Sequence, residues 1–233
     1  MRLSGEWMKR HSNPMDGKRG ILVSGRLPGV ALYGDQVLPR ITNVLLDNKE
    51  FGKVRQRVAS GLSGEVLEIG FGSGLNVPYY PLTVRRVRAV DPATVGRKLA
   101  AGRVAASPVP VEYIGLDGAS LRVDAESIDH VLITLTMCTI PDIDSALSEV
   151  HRVLRPGGEM HFAEHGLSPN PNVAKWQERL TPFQRRWAGG CHLNRPIDRL
   201  IEQAGLTVSR MDNFYMKGPK SMGYIFEGLA TKA

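Results

Sequence analysis

Residues 65–74 read EVLEIGFGSG, a short apolar strand that runs into a turn with glycine at 70, 72 and 74. Alternate glycines let a ligand approach the backbone closely, because no Cβ stands in the way. A second apolar strand ends at Asp91, where a carboxylate suits the hydroxyls of a ribose. The dinucleotide fingerprint G-x-G-x-x-G would need glycine at 75, where this chain has Leu75. The pattern predicts a nucleotide-type pocket and disfavours NAD.

The segments around this turn alternate between strand and helix patterns. Strands are predicted near residues 65–69, 86–90, 111–114, 130–135, 159–163, 207–214 and 224–230. Helical patterns precede the first strand, with a break near Asp47 and Asn48, and occupy most of the intervals that follow. Alternation of this kind predicts an α/β fold, a Rossmann-like open sheet of seven mostly parallel strands with helices on both faces. We expect one domain over residues 35–233, preceded by an arm or lid at residues 1–34.

Two helices carry clear boundary signals. The apolar stripe from Ile143 to Leu154 follows Asp142, a suitable N-cap, and is predicted to stop at Pro156-Gly157. A second stripe begins at Ile197, where Asn194 is the expected cap.

Bulk properties limit the functional classes. The chain has 233 residues, a formal net charge of +7 and a pI near 9.6. Its basic residues are scattered and no aromatic-interleaved motif accompanies them, so nucleic-acid binding is not expected, whereas weak association with an anionic membrane surface is compatible with the charge. No stretch reads as a bilayer span or a secretory signal, and we expect a cytoplasmic protein with both cysteines reduced.

Four motifs together resemble the class I S-adenosylmethionine-dependent methyltransferases. They are E-x-G-x-G-x-G at 68–74 with Asp91 after the next strand, GLDGA at 115–119, SIDHVL at 127–132 and EVHRVLRPGG at 149–158. The resemblance implies the fold predicted above, with S-adenosylmethionine as cofactor and S-adenosylhomocysteine as product. It assigns Asp117 to the adenine amino group and places Thr134 and Thr136 near the methionine end. The implied cofactor-binding residues are Glu68, Gly70, Gly72, Gly74, Asp91, Pro92, Asp117, Gly118, Thr134 and Thr136.

The stretch HFAEH at 161–165 matches the H-x-x-E-H pattern of a zinc motif. That motif needs a helix, but this stretch follows Pro-Gly-Gly and reads as a strand, which separates the two histidines by about 13 Å. We therefore predict no metal site. Glu164 and His165 are expected instead at the carboxyl end of the fifth strand, beside the transferable methyl group. Cys191, on a glycine-rich turn, is a third candidate near the pocket.

A narrower resemblance concerns residues 162–165, the helix around Trp176, residues 190–195 and residues 222–224. These look like the methyltransferase-like 7 family, whose members methylate alkyl thiols and hydrogen sulfide. It implies a small-molecule methyl acceptor, most simply a small thiol or sulfide, with His165, Glu164 and Cys191 as candidate catalytic residues. The core motifs also resemble quinone- and lipid-modifying methyltransferases, so a quinone, a phenol or a phospholipid headgroup stays open as the acceptor. A non-enzymatic cofactor-binding module is the third alternative. The sequence does not predict an oligomeric state.

Overall fold

The computed structural model describes residues 36–233, and the predicted arm or lid at 1–34 lies outside these described residues. A seven-stranded sheet forms the centre of the described part, with strand order β3-β2-β1-β4-β5-β7-β6. Neighbouring strands from β3 through β5 are parallel, and β7 is antiparallel to both β5 and β6. The strands are β1 Gly64–Ile69, β2 Val84–Val90, β3 Val111–Gly115, β4 Ile128–Thr134, β5 Leu154–His165, β6 Thr207–Tyr215 and β7 Tyr224–Thr231. This arrangement confirms the predicted fold class.

The helices occupy the intervals that the apolar periodicity predicts. They are α1 Leu38–Leu46, α2 Lys49–Ala59, α3 Thr94–Ala105, α4 Ile143–Val153, α5 Pro171–Trp187 and α6 Ile197–Gln203, with a short 3₁₀ helix at Val77–Tyr79. The predicted break separates α1 from α2, because the Asn48 side chain caps α2 by accepting hydrogen bonds from the N–H groups of Glu50 and Phe51. Within residues 36–233, none of these helices has the length and apolarity needed to span a bilayer.

Two apolar cores lie on opposite faces of the sheet. On one face, Leu147 of α4 and Ile201 of α6 pack against strand residues such as Val131. On the other face, Val58 of α2 packs with Leu132. The adjacent residues Val131 and Leu132 of β4 therefore pack into different cores, because successive side chains along a strand point to opposite faces of the sheet. The helices on both faces leave the carboxyl ends of the parallel strands open, which is the edge where ligands bind in such sheets.

Two predicted helix boundaries are wrong. The N-cap of α6 is Pro196, not Asn194, because the backbone C=O of Arg195 still pairs with the N–H of Leu167 at 2.8 Å and keeps the chain extended there. Helix α4 ends at Val153 and β5 begins at the next residue, so the chain leaves the helix before Pro156-Gly157 rather than at it.

Candidate functional site

A cavity of about 530 Å³ opens at the carboxyl ends of the central strands. Its volume lies within the range of pockets for small ligands and cofactors. Its walls come from the glycine turn after β1, the start of α3, the loops after β3 and β4, and helix α1. The lining residues are Leu38, Pro39, Thr42, Asn43, Leu46, Arg55, Ile69–Ser73, Leu75, Asn76, Val90–Ala93, Gly96, Leu116–Gly118, Thr134–Thr136, Thr139–Pro141, Ala188 and Gly189.

The glycine turn depends on backbone conformations that side chains disfavour. Gly70 and Gly72 line the cavity with φ of 79° and 53°. A Cβ on Gly70 would overlap the Thr136 side chain, and a Cβ on Gly96 would lie 2.7 Å from the backbone oxygen of Gly72. The absence of both side chains lets α3 and the loop after β4 close on the turn. Gly96 was missed by the sequence analysis, since a glycine in a helix has no local signal of close approach.

Asp91 holds the turn in place and still faces the cavity. Its Oδ2 accepts a hydrogen bond from the N–H of Gly72 and its Oδ1 one from the N–H of Ala93, both at 2.7 Å. Burial raises the pKa of this carboxyl, opposed by these two backbone hydrogen bonds and the charge of Arg97. Each oxygen keeps a second lone pair, so the carboxylate can still accept hydrogen bonds from a diol. Pro92 lies beside it in the wall.

Glu68 and Gly74 lie behind the cavity wall and do not line it, although the sequence analysis placed them in the cofactor set. Glu68 is 1% exposed and accepts hydrogen bonds from Asn76 Nδ2 at 2.9 Å and from the Tyr80 hydroxyl. Burial raises its pKa to about 7, against the lowering effect of these two donors. Glu68 therefore orients Asn76, and Asn76 rather than Glu68 lines the cavity.

Arg55 contributes a buried positive charge to the same wall. It projects from α2, is 6% exposed, and donates from one terminal nitrogen to Asn76 Oδ1 at 2.9 Å and to Thr134 Oγ1 at 3.2 Å. Its Nε is buried and has no hydrogen-bond partner among the described residues. Desolvation lowers the pKa of the guanidinium, which stays cationic because a free arginine titrates far above neutral pH. A carboxylate in the cavity would find a cationic donor at this point.

The other predicted cofactor residues reach the cavity from two loops. Asp117 and Gly118 lie in the wall after β3, where Asp117 Oδ1 accepts a hydrogen bond from the N–H of Ala119 at 2.9 Å. Thr134 and Thr136 lie in the wall after β4. The structure thus brings eight of the ten predicted residues to one cavity. Their contacts with a cofactor stay predictions.

The three candidate catalytic residues form a group behind the wall and are not among the lining residues. His165 Nε2 lies 3.1 Å from Cys191 Sγ, and Cys138 Sγ lies within 4.8 Å of both atoms. Both cysteines are free thiols. Hydrogen bonds from Cys138 and His165 lower the pKa of Cys191. The hydrogen bond between the two cysteines, together with burial, raises the pKa of Cys138. Burial alone would lower the pKa of His165, but Cys191 outweighs it, so the pair favours a thiolate beside an imidazolium.

Glu164 supports the loop after β4. It is fully buried, and its Oε1 accepts hydrogen bonds from the N–H groups of Thr136 at 2.6 Å and Met137 at 3.0 Å. Burial raises its pKa to about 7, although those N–H groups favour the charged form. Its Oε2 has no hydrogen-bond partner among the described residues. In this position Glu164 shapes the cavity wall through Thr136.

The chemistry that the wall can perform is limited by its composition. Among the described lining residues, the ionisable groups are Arg55, Asp91 and Asp117. Both carboxylates already accept backbone hydrogen bonds, and the described wall contains no histidine, lysine or cysteine. Since both carboxylates are predicted to contact the cofactor, a reaction in this cavity would rely mainly on binding and alignment of the acceptor.

Comparison with known proteins shows what this chain is similar to. Residues 67–162 match the family model described as a methyltransferase domain. The thiol S-methyltransferase TMT1B of Rattus norvegicus is 36% identical over 150 residues, covering 62% of this chain and 61% of that protein. The phosphatidylethanolamine N-methyltransferase of Cereibacter sphaeroides is 28% identical over 174 residues, covering 68% of this chain and 81% of that protein. The matched part thus spans less than two thirds of the length of the first relative.

Solved structures agree on the fold. A SAM-dependent methyltransferase from Thermotoga maritima superposes with a TM-score of 0.62 at 19% identity, covering 87% of this chain and 99% of that chain. At this identity the likeness concerns the fold alone. Together with the family match, it explains why the cavity lies at the carboxyl ends of the strands.

Proposed function

We propose that the chain is an S-adenosylmethionine-dependent methyltransferase and that it transfers the methyl group to a small thiol or to sulfide. The composition of the described cavity wall is the observation that carries the proposal, because its two carboxylates, Asp91 and Asp117, are both expected to contact the cofactor and not the acceptor. Similarity to thiol S-methyltransferases supports the same acceptor.

The cavity suits the cofactor in charge and shape. Asp91 offers two carboxylate oxygens to the ribose hydroxyls, and Gly70 and Gly72 offer bare backbone. Arg55, whose buried Nε has no partner among the described residues, suits the carboxylate of the methionine end. Asp117 and Gly118 lie where the adenine is expected. When bound, the cofactor supplies a sulfonium methyl group with a good leaving group.

The protein's part in such a reaction is to align the acceptor, exclude water and favour its ionised form. A thiol with a pKa near 8.5 is partly ionised at neutral pH, whereas an aliphatic hydroxyl is not. The positive charge of the cofactor's sulfonium would favour an anionic acceptor over a neutral one. Ile140, Pro141 and Ala188 also line the cavity, so it is suited to a small apolar substituent on the acceptor as well. A thiolate needs no further proton transfer before it attacks.

The proposal predicts selective turnover. Purified protein with S-adenosylmethionine should release S-adenosylhomocysteine with 2-mercaptoethanol or sulfide, and not with a phenol, a primary amine or a phospholipid headgroup. Because the acceptor ionises without a base, the rate should rise about tenfold per pH unit below the pKa of the thiol and level off above it. A thiol of lower pKa should shift this profile to lower pH by the difference between the two pKa values.

Other outcomes separate the alternatives. Turnover of a phenol or phospholipid headgroup without thiol turnover would assign the site to the quinone or lipid class. A pH profile that does not move with the thiol would reveal a protein base and contradict the argument. Calorimetric binding of S-adenosylhomocysteine without turnover of any acceptor would indicate a cofactor-binding module.

Asp91 offers a direct test of cofactor placement. Asp91→Asn should weaken S-adenosylhomocysteine binding by roughly 1–3 kcal/mol in calorimetric titration, because charge-assisted hydrogen bonds to the ribose are lost. Asp117→Asn is a matched control at the same cavity. Because Asp117 is exposed, its replacement should cost clearly less affinity. Equal affinities for wild type and Asp91→Asn would refute the placement of the ribose.

A further inference from the structure

A second cluster of ligating side chains lies away from the cavity, on adjacent strands of the sheet. His130 of β4 is the register partner of Glu159 of β5, and His161 follows two residues later, so all three side chains share one sheet face. His130 Nδ1 lies 3.1 Å from His161 Nε2. Glu159 Oε2 lies 3.8 Å from the first nitrogen and 3.6 Å from the second.

Hydrogen bonds orient both imidazoles. His161 Nδ1 lies 2.8 Å from the backbone oxygen of Val58. A carbonyl can only accept, so Nδ1 carries the proton and Nε2 of the neutral ring keeps its lone pair. His130 Nε2 lies 3.1 Å from the Ser63 hydroxyl, which can accept a proton from it and so leave His130 Nδ1 with a lone pair as well. Histidines that bind metal ions in proteins usually donate a hydrogen bond from their other ring nitrogen to an oxygen acceptor, and both imidazoles are placed to do so here.

We propose that His130 Nδ1, His161 Nε2 and Glu159 Oε2 form a binding site for a divalent transition-metal ion, with zinc as the first candidate. Metal–ligand distances of about 2.0–2.2 Å in tetrahedral geometry place ligand atoms roughly 3.3–3.6 Å apart. The separations of 3.1, 3.6 and 3.8 Å lie close to these values. Two imidazoles and one carboxylate are a ligand set that zinc accepts. Glu159, with 34% of its side chain exposed, leaves the site open to solvent.

This site differs from the zinc motif that the sequence analysis rejected. That motif would pair His161 with His165, which points instead to Cys191. In the proposed site, His161 is paired with His130. His130 precedes the cavity residue Thr134 by four positions along β4, so about 13 Å separates the proposed site from that residue. The ion would join β4, near its amino end, to the middle of β5, and through the contact of His161 with Val58 it would hold α2 against the sheet. It would therefore stabilise the fold without contacting the methyl-transfer site.

The test must separate this site from the cysteine group, because Cys138, Cys191 and His165 could also hold a metal ion. Calorimetric titration of zinc chloride is therefore done in a Cys191→Ser background, after treatment with a chelator. The expected result is one zinc ion per chain. His130→Gln and Glu159→Gln should each weaken zinc binding by at least about tenfold. Glu202→Gln, a control at an exposed position of α6, should leave the affinity unchanged.

A spectroscopic measurement supports the assignment independently of activity. Cobalt(II) bound in the Cys191→Ser background should show d–d absorption of a low-symmetry nitrogen and oxygen site, without thiolate charge-transfer bands. Absence of zinc binding in this background would overturn the proposal, as would equal zinc affinities in Glu159→Gln and Glu202→Gln. Glu159 is partly exposed, so its variant should fold even where a histidine variant does not.

Discussion

Replacing Gly70 with alanine is expected to lower the free energy of unfolding by about 2–5 kcal/mol and to weaken S-adenosylhomocysteine binding by at least about tenfold. The left-handed conformation, with φ of 79°, costs an L-residue roughly 1–2 kcal/mol. The overlap of the new Cβ with Thr136 adds about 1–3 kcal/mol, as overpacking of a well-packed site does. Because both residues line the cavity, relief of the overlap must distort the wall. Denaturant unfolding and calorimetric titration measure the two effects.

Gly102 provides the matched control. It lies in α3, where an added Cβ meets no atom within 4 Å, so Gly102→Ala should raise the free energy of unfolding by about 0.5–1 kcal/mol. The double variant Gly70→Ala/Thr136→Gly removes the overlap but keeps the left-handed strain, and should recover part of the loss beyond the additive expectation. Unchanged stability and affinity in Gly70→Ala would show that the turn is not held as described.

Sequence patterns were sufficient to predict a residue's role where that role depends on the conformation of the local backbone. The spacing of Gly70 and Gly72 and the position of Asp91 at a strand end identify the turn without knowledge of the rest of the fold. Alternating strand and helix patterns also predict the sheet, because a crossover between parallel strands requires a helix and has one hand.

Sequence patterns were insufficient to predict a residue's role where that role depends on the face of the sheet to which its side chain points. They were also insufficient where the role depends on contacts with residues far away in the sequence. Glu68 lies in a strand buried on both faces, and such a strand shows no alternation that could tell the cavity side from the core side. Arg55 meets Asn76, 21 positions away, only after α2 packs on the sheet. His130 and His161 likewise lie close together only because of the register between β4 and β5. A sequence motif describes residues that are near each other in the chain and so does not detect this pair.

Replacing Glu164 with glutamine is expected to make the protein more stable above pH 7 and to flatten its dependence on pH. Burial raises the pKa of Glu164 to about 7, whereas an unfolded glutamate titrates at 4.5. Between these values the folded state holds a proton that the unfolded state has lost, so the free energy of unfolding falls as the pH rises from 4.5 to 7 and is constant above. The loss is about 3 kcal/mol for a shift of this size. The buried carboxyl of Glu68, whose pKa is also about 7, lowers the free energy of unfolding over the same pH range.

Glu164→Gln should therefore remove the part of the decline that Glu164 causes, while the part that Glu68 causes remains. The amide oxygen can still accept hydrogen bonds from the N–H groups of Thr136 and Met137, so the wall should keep its shape. The amide nitrogen would replace the partnerless Oε2, which costs about 1–3 kcal/mol at every pH. The two stability curves should thus cross, with wild type the more stable at pH 4.5 and the variant at pH 8. Denaturant unfolding at several pH values, with the exposed Glu202→Gln as control, measures this directly.

The same variant distinguishes the two roles of Glu164. If Glu164 only supports the loop, S-adenosylhomocysteine affinity and methyl transfer should both stay within about threefold of wild type, because the hydrogen bonds to the loop persist. If it is catalytic, as the sequence predicts, methyl transfer should fall by at least about 100-fold while cofactor affinity is kept, the loss typical of a positioned proton-transfer group. The structure favours the first outcome, because the carboxyl lies behind Thr136 and is not among the residues that line the cavity. Identical pH–stability curves for wild type and Glu164→Gln would show that this carboxyl is not held neutral by burial.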